Sequence, residues 1–129
     1  MVDSAKSTVV EGIADKANEN GKTHQTYTKP NKKTGETYSG RTSGKGTPKE
    51  NVAKRDANHH KNAEGFGPAK LDKSSKNKDA IRGREQQNIK NNGGSKSEGG
   101  SSGNSINGVS PKNPKAETYE AAAKKEFGS

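Results

Sequence analysis

The sequence predicts an α+β fold: a short antiparallel sheet, made of a hairpin plus a third strand, flanked by helices. Three observations carry this. Two strand-like runs, Thr26-Tyr27-Thr28 and Glu36 to Arg41, enclose a turn rich in Pro, Asn and Gly. A capping box formed by Thr47 and Glu50, with Pro48 at the first helical position, opens a helix. The few apolar residues downstream recur at steps of three and four. A chain of 129 residues makes one domain at most, assigned to residues 23–129 behind a connector at 1–22.

Composition alone points the other way. Hydrophobic residues are 22% and aromatics 4% of the chain, and the mean hydropathy is −1.37. So little apolar surface reads as a disordered, basic, solvated segment, because its burial does not offset the entropy of ordering. Patterning and well-formed helix starts stand against that reading. The balance of 24 Lys and Arg against 15 Asp and Glu gives a net charge of +9, which favours polyanions without specifying a sequence. With no cysteine, disulfides and thiolate metal sites are excluded. No stretch is long or apolar enough for a signal peptide or a membrane span. Any export address is therefore expected elsewhere on a longer polypeptide.

Met1 to Lys22 has a weak helical pattern around Val9, Val10, Ile13 and Ala17. The hairpin follows, with Gly35 expected at positive φ. Thr42 to Gly46 is a basic, glycine-containing loop without P-loop spacing, and reads as a linker. The helix opened by Thr47 is expected to run to about Asn62, with Val52, Arg55 and His59 on one inward face. An inward arginine and histidine need an anion or a structural carboxylate. The adjacent His60 points elsewhere on a helix, so the pair makes a poor zinc site. Ala63 to Ser75 is expected as a loop, with Phe66 and Leu71 plugging the core. A second helix is expected over Lys78 to Asn91, stopped by Gly93-Gly94. Its stripe of Ile81, Glu85 and Ile89 puts a carboxylate between two isoleucines, where it must pair, as with Arg82 or Arg84, or bind a cation. Ser95 to Gly108 reads as a loop in which Ile106 and Val109 offer a few strand-like residues. A last helix opens at Asn113-Pro114, carries Ala116, Tyr119, Ala123 and Phe127, and stops at Gly128.

The order of hairpin, arginine helix, glutamate helix and late asparagine resembles the GIY-YIG endonuclease domain over roughly residues 24 to 110. Gln25-Thr26-Tyr27 and Tyr38-Ser39-Gly40 stand where that family has its two triplets, with ten residues between the tyrosines. The first glycine and both isoleucines of the signature are absent. The resemblance matches Arg55 to the helical arginine, His59 to the histidine one turn on, and Glu85, within Arg84-Glu85-Gln86, to the metal-binding glutamate. Asn107, or else Asn104, matches the late asparagine. It implies catalytic roles for Tyr27, Tyr38, Arg55, His59, Glu85 and Asn107, and substrate contacts for Arg41, Lys45, His60 and Asn104.

Tyr38 to Gly44 and Asp56-Ala57-Asn58-His59-His60 also resemble C-terminal toxin modules of bacterial polymorphic toxins, including Rhs-type proteins. That resemblance implies secretion within a larger effector, action in the cytoplasm of a competing cell, and neutralisation by an acidic immunity protein. The implied reaction is hydrolysis of a DNA phosphodiester with one Mg²⁺ or Mn²⁺ on Glu85, the general base being Tyr27 or His59, in a monomer. An RNA-cleaving nuclease and a non-catalytic nucleic-acid-binding segment are the alternatives.

Overall fold

The computed structural model describes residues 21–128. The helix expected around Val9 to Ala17 lies outside the described residues. Among those described, three antiparallel strands and three helices make up the expected α+β domain. The strands are β1 (Thr23–Pro30), β2 (Thr37–Gly44) and β3 (Lys70–Ser75), in the spatial order β2-β1-β3. The helices are α1 (Pro48–Ala57), α2 (Lys78–Asn91) and α3 (Ala116–Phe127). No helix among the described residues is long and apolar enough to cross a membrane.

The β1–β2 connection closes as its residues dictate. The Asn31 N–H donates to the Glu36 carbonyl at 2.8 Å and Gly35 N–H to the Asn31 carbonyl at 2.8 Å. Asn31 Oδ1 accepts from the Lys33 and Thr34 amides, and Gly35 sits at φ 79. Both halves of the Thr47–Glu50 capping box form.

α1 stops at Ala57, five residues before the expected end. Asn58, His59 and His60 are poor helix formers, and leaving the helix lets His59 turn inward. α2 starts on the Asn77 cap and spans the expected residues.

The third strand is the main correction. Lys70–Ser75, expected as loop, pairs with β1, whereas Ile106 and Val109 lie in irregular chain. Lys70–Ser75 carries one large apolar residue, Leu71, and that residue is exposed rather than plugging the core. The segment is a strand because β1 supplies its backbone partners. The register slips between Thr26 and Tyr27: Lys73 faces Thr26 and Leu71 faces Tyr27, which leaves Asp72 as the extra residue of a bulge. Its carboxylate accepts from Thr26, from Arg84 and from Asn88, tying strand to α2.

Strand alternation divides the sheet. Gln25 reaches Asn51 and Lys29 reaches Asp56, so the odd residues of β1 face α1. Thr26, and Arg41 directly opposite it, face α2. The interior is small and largely polar. Ile81, Ile89, Ala80, Ala123 and Val52 are buried beside Gln25, Thr26, Lys29, Asn51, Asn88 and Asn104. Hydrogen bonds worth about 1 kcal/mol each hold such an interior, and leaving one unmade costs more. α3 lies tight on α2 at Gly83, where a Cβ would sit 2.8 Å from the Ala123 Cβ. The long segment after α2 returns to β2, whose outer edge it covers: the Asn104 amide accepts from Ser39 N–H and donates to Ser39 C=O, both at 2.8 Å.

Candidate active site

Tyr27 is 1% exposed and its ring lies across Gly40, its register partner on β2. A Cβ on Gly40 would stand 2.5 Å from the phenol oxygen, so the absence of a side chain there is what lets the hydroxyl end pass over β2. His59 meets that hydroxyl, with Nε2 2.8 Å from Oη. Its other nitrogen, Nδ1, accepts the Lys61 backbone N–H at 3.1 Å. Because Nδ1 accepts, the neutral ring carries its proton on Nε2 and donates it to Tyr27. Tyr38 packs edge-on to His59, with centroids 5.0 Å apart, and His60 stacks on His59 at 4.6 Å.

Burial first, then the charges of Arg55, Lys29 and His60, lowers the His59 pKa to about 4, so the imidazole is neutral near pH 7. Burial raises Tyr27 above the usual phenol range, with Tyr38 and Glu85 adding to the rise; Arg55, by charge and hydrogen bond, opposes it. Tyr38 is raised by burial and by Glu85, and is lowered by Arg55. Both phenols therefore sit in the fields of one guanidinium and one carboxylate. His59 has neither a free lone pair nor a favourable pKa for taking a proton. Tyr27 Oη, by contrast, has the His59 donor and the Arg55 charge working against the burial that holds it protonated.

Glu85 comes from α2, the helix on the other face. Its side chain is 11% exposed and Oε1 accepts from Arg41 Nε at 3.1 Å. Burial raises its pKa, while the Arg41 charge and hydrogen bond and the Arg82 charge pull it down. The expected helical partners are otherwise engaged: Arg84 binds Asp72, and the Arg82 guanidinium lies 4.6 Å from the Tyr119 ring centroid. Among the described residues no three metal-ligating side chains gather. One hard carboxylate does suit Mg²⁺ or Mn²⁺, since Mg²⁺ keeps most of its waters and takes few protein ligands. Gly108 closes against this carboxylate, and a Cβ there would stand 2.6 Å from Oε1.

Tyr27, Tyr38, Arg55, His59 and His60 thus come together, with Glu85 and Arg41 within electrostatic reach. The asparagines do not join them. Asn104 spends its whole amide on Ser39, and so serves the fold instead of contacting a substrate. Asn107 Oδ1 accepts from Gln86 and lines a separate cavity between α2 and α3. Lys45 stands exposed in the β2–α1 connection. The sequence reading missed Lys61 and His24, and it named Arg41 only as a substrate contact. Arg41 is the partner of Glu85, Lys61 sets the His59 tautomer through its backbone, and His24 lies on the Arg41 side of the hairpin. Strand register alone was the signal for Arg41 and His24. No protein-family model, curated protein or solved structure matches the chain.

Proposed function

We propose that this chain is a metal-dependent endonuclease that hydrolyses phosphodiester bonds in DNA. The observation that carries the reading is the buried Tyr27 hydroxyl, held by the Nε2–H of a neutral His59 in the field of Arg55 and Glu85. A structural tyrosine needs only one partner for its hydroxyl. This one has an imidazole donor on its oxygen and the Arg55 charge beside it, which together oppose the burial that keeps the phenol protonated.

In the proposed reaction, Tyr27 acts from its minor phenolate form, its proton having passed to solvent. Its Oη orients the attacking water and takes its proton as the water oxygen bonds to phosphorus, while the bond from phosphorus to the departing oxygen breaks and that oxygen takes a proton from solvent. His59 Nε2–H and Arg55 stabilise the phenolate charge until the proton arrives. Arg55 also faces the charge developing on the phosphoryl oxygens, where loss of such a donor costs about 3–4 kcal/mol. Tyr38 holds His59 edge-on and so fixes the direction of the Nε2–H bond. Glu85 would hold the divalent cation, which supplies charge stabilisation at the phosphate and at the departing oxygen. The net charge of +9 supports a polyanionic substrate, and it supports an acidic protein as inhibitor if the domain is the toxin part of a secreted effector.

The test is incubation of the purified chain with supercoiled plasmid and with total RNA, in Mg²⁺ or EDTA. Plasmid nicking that needs Mg²⁺ is expected. Glu85→Gln should abolish it while leaving the circular dichroism spectrum unchanged. Retained nicking by that variant removes Glu85 from the site, and cleavage of RNA alone reassigns the substrate.

A further inference from the structure

A cavity of about 370 Å³ opens on the α2 side of the hairpin. The β1–β2 register sets His24 opposite Ser43, and Arg41 lies two residues from Ser43 on the same strand, so the three side chains share one face. Thr42, Lys22 and Lys78, the first residue of α2, complete the polar wall, and Ile81 supplies an apolar patch. The positive charge converges: after burial, Lys78, Lys22 and Arg41 are the groups that lower the His24 pKa. One acidic group that touches this wall is Glu85, engaged by the Nε of Arg41. Cations gathered around one concavity repel one another, and an anion seated among them relieves that repulsion.

We propose that this cavity is a phosphate subsite that receives one backbone phosphate of the DNA strand beside the bond to be cut. Arg41 joins the two places, since the same guanidinium lines the cavity and touches Glu85. Ser43 offers a hydroxyl donor to a phosphate oxygen, and the Lys78 ammonium stands at the helix start, where anions are favoured. The cavity carries no base-reading arrangement, so it positions the strand without selecting sequence. The identity of the polyanion rests on the nuclease reading, whereas the affinity for a phosphate does not.

The affinity of the full chain for a fluorescent DNA duplex, measured in EDTA across a range of salt concentrations, tests the subsite apart from cleavage. A Lys22→Gln/Lys78→Gln variant should bind several-fold more weakly at low salt. The slope of log affinity against log salt should fall by about 1 for each phosphate that the variant no longer neutralises. Lys112→Gln/Lys115→Gln, which removes the same charge from the loop before α3, serves as the control. Equal losses from both variants, or none from the first, overturn the subsite. Titration of the unmodified chain with inorganic phosphate should shift the His24 and Ser43 NMR resonances to saturation, and unmoved resonances also overturn it. Phosphate-dependent shifts without plasmid nicking would keep the subsite and remove the nuclease. Nicking with unaltered salt slopes would do the reverse.

Discussion

At the scale of single residues, His59 is the side chain whose state reports on the site. Its pKa is lowered to about 4 in the folded chain, against about 6.5 when exposed. The unfolded chain therefore binds the proton more readily between those values, and stability from this group, present above pH 6.5, is lost as pH falls toward 4. His24, also lowered, acts in the same sense, and Glu85, raised by burial, acts in the opposite one. The difference between the native chain and His59→Asn isolates the one term. The native chain should lose more Tm between pH 7 and pH 5 than the variant does, and equal losses would mean that His59 is not buried neutral.

The catalytic candidates were legible one by one because polar residues set among apolar neighbours are conspicuous. Glu85 between Ile81 and Ile89 is the clearest of them. The inward placement of His59 was legible, but the geometry was not. It reaches Tyr27 from beyond the end of α1, and no periodicity describes a residue outside a helix.

At the scale of elements, α2 was legible to its ends because Asn77, the apolar stripe and Gly93-Gly94 agree with one another. β3 was not, because Lys70–Ser75 has neither alternation nor apolar content and owes its form to the neighbouring strand. The segment over the β2 edge hides its function in the same way. Asn104 there replaces a whole strand partner with one amide, meeting both the donor and the acceptor of Ser39. Asn104→Ala removes both bonds at a buried position and should destabilise the domain by about 1–3 kcal/mol. Hydrogen exchange at the Ser39 amide should accelerate in the variant far more than at the β1–β3 ladder. Uniform acceleration would show that the edge is not held there.

At the scale of the whole molecule, the low apolar content that argued against any core is reconciled by what fills the interior. Gln25 with Asn51, Lys29 with Asp56, and Asp72 with Thr26, Arg84 and Asn88 occupy places where aliphatic side chains stand in most domains. Burial works to raise the pKa of Asp72, and the hydrogen bonds from Arg84, Asn88 and Thr26 more than reverse it. The Asp56 and Asp72 carboxylates are thus kept charged by the partners they organise.

A polar interior has a calorimetric signature. Exposing apolar surface raises heat capacity and exposing polar surface lowers it, and ordinary domains gain about 12–15 cal/mol/K per residue on melting. This chain should gain clearly less, and a scanning calorimeter that records the ordinary step would contradict the polar interior. A small step flattens the stability curve, so the domain should resist cooling well while its margin at any temperature stays modest.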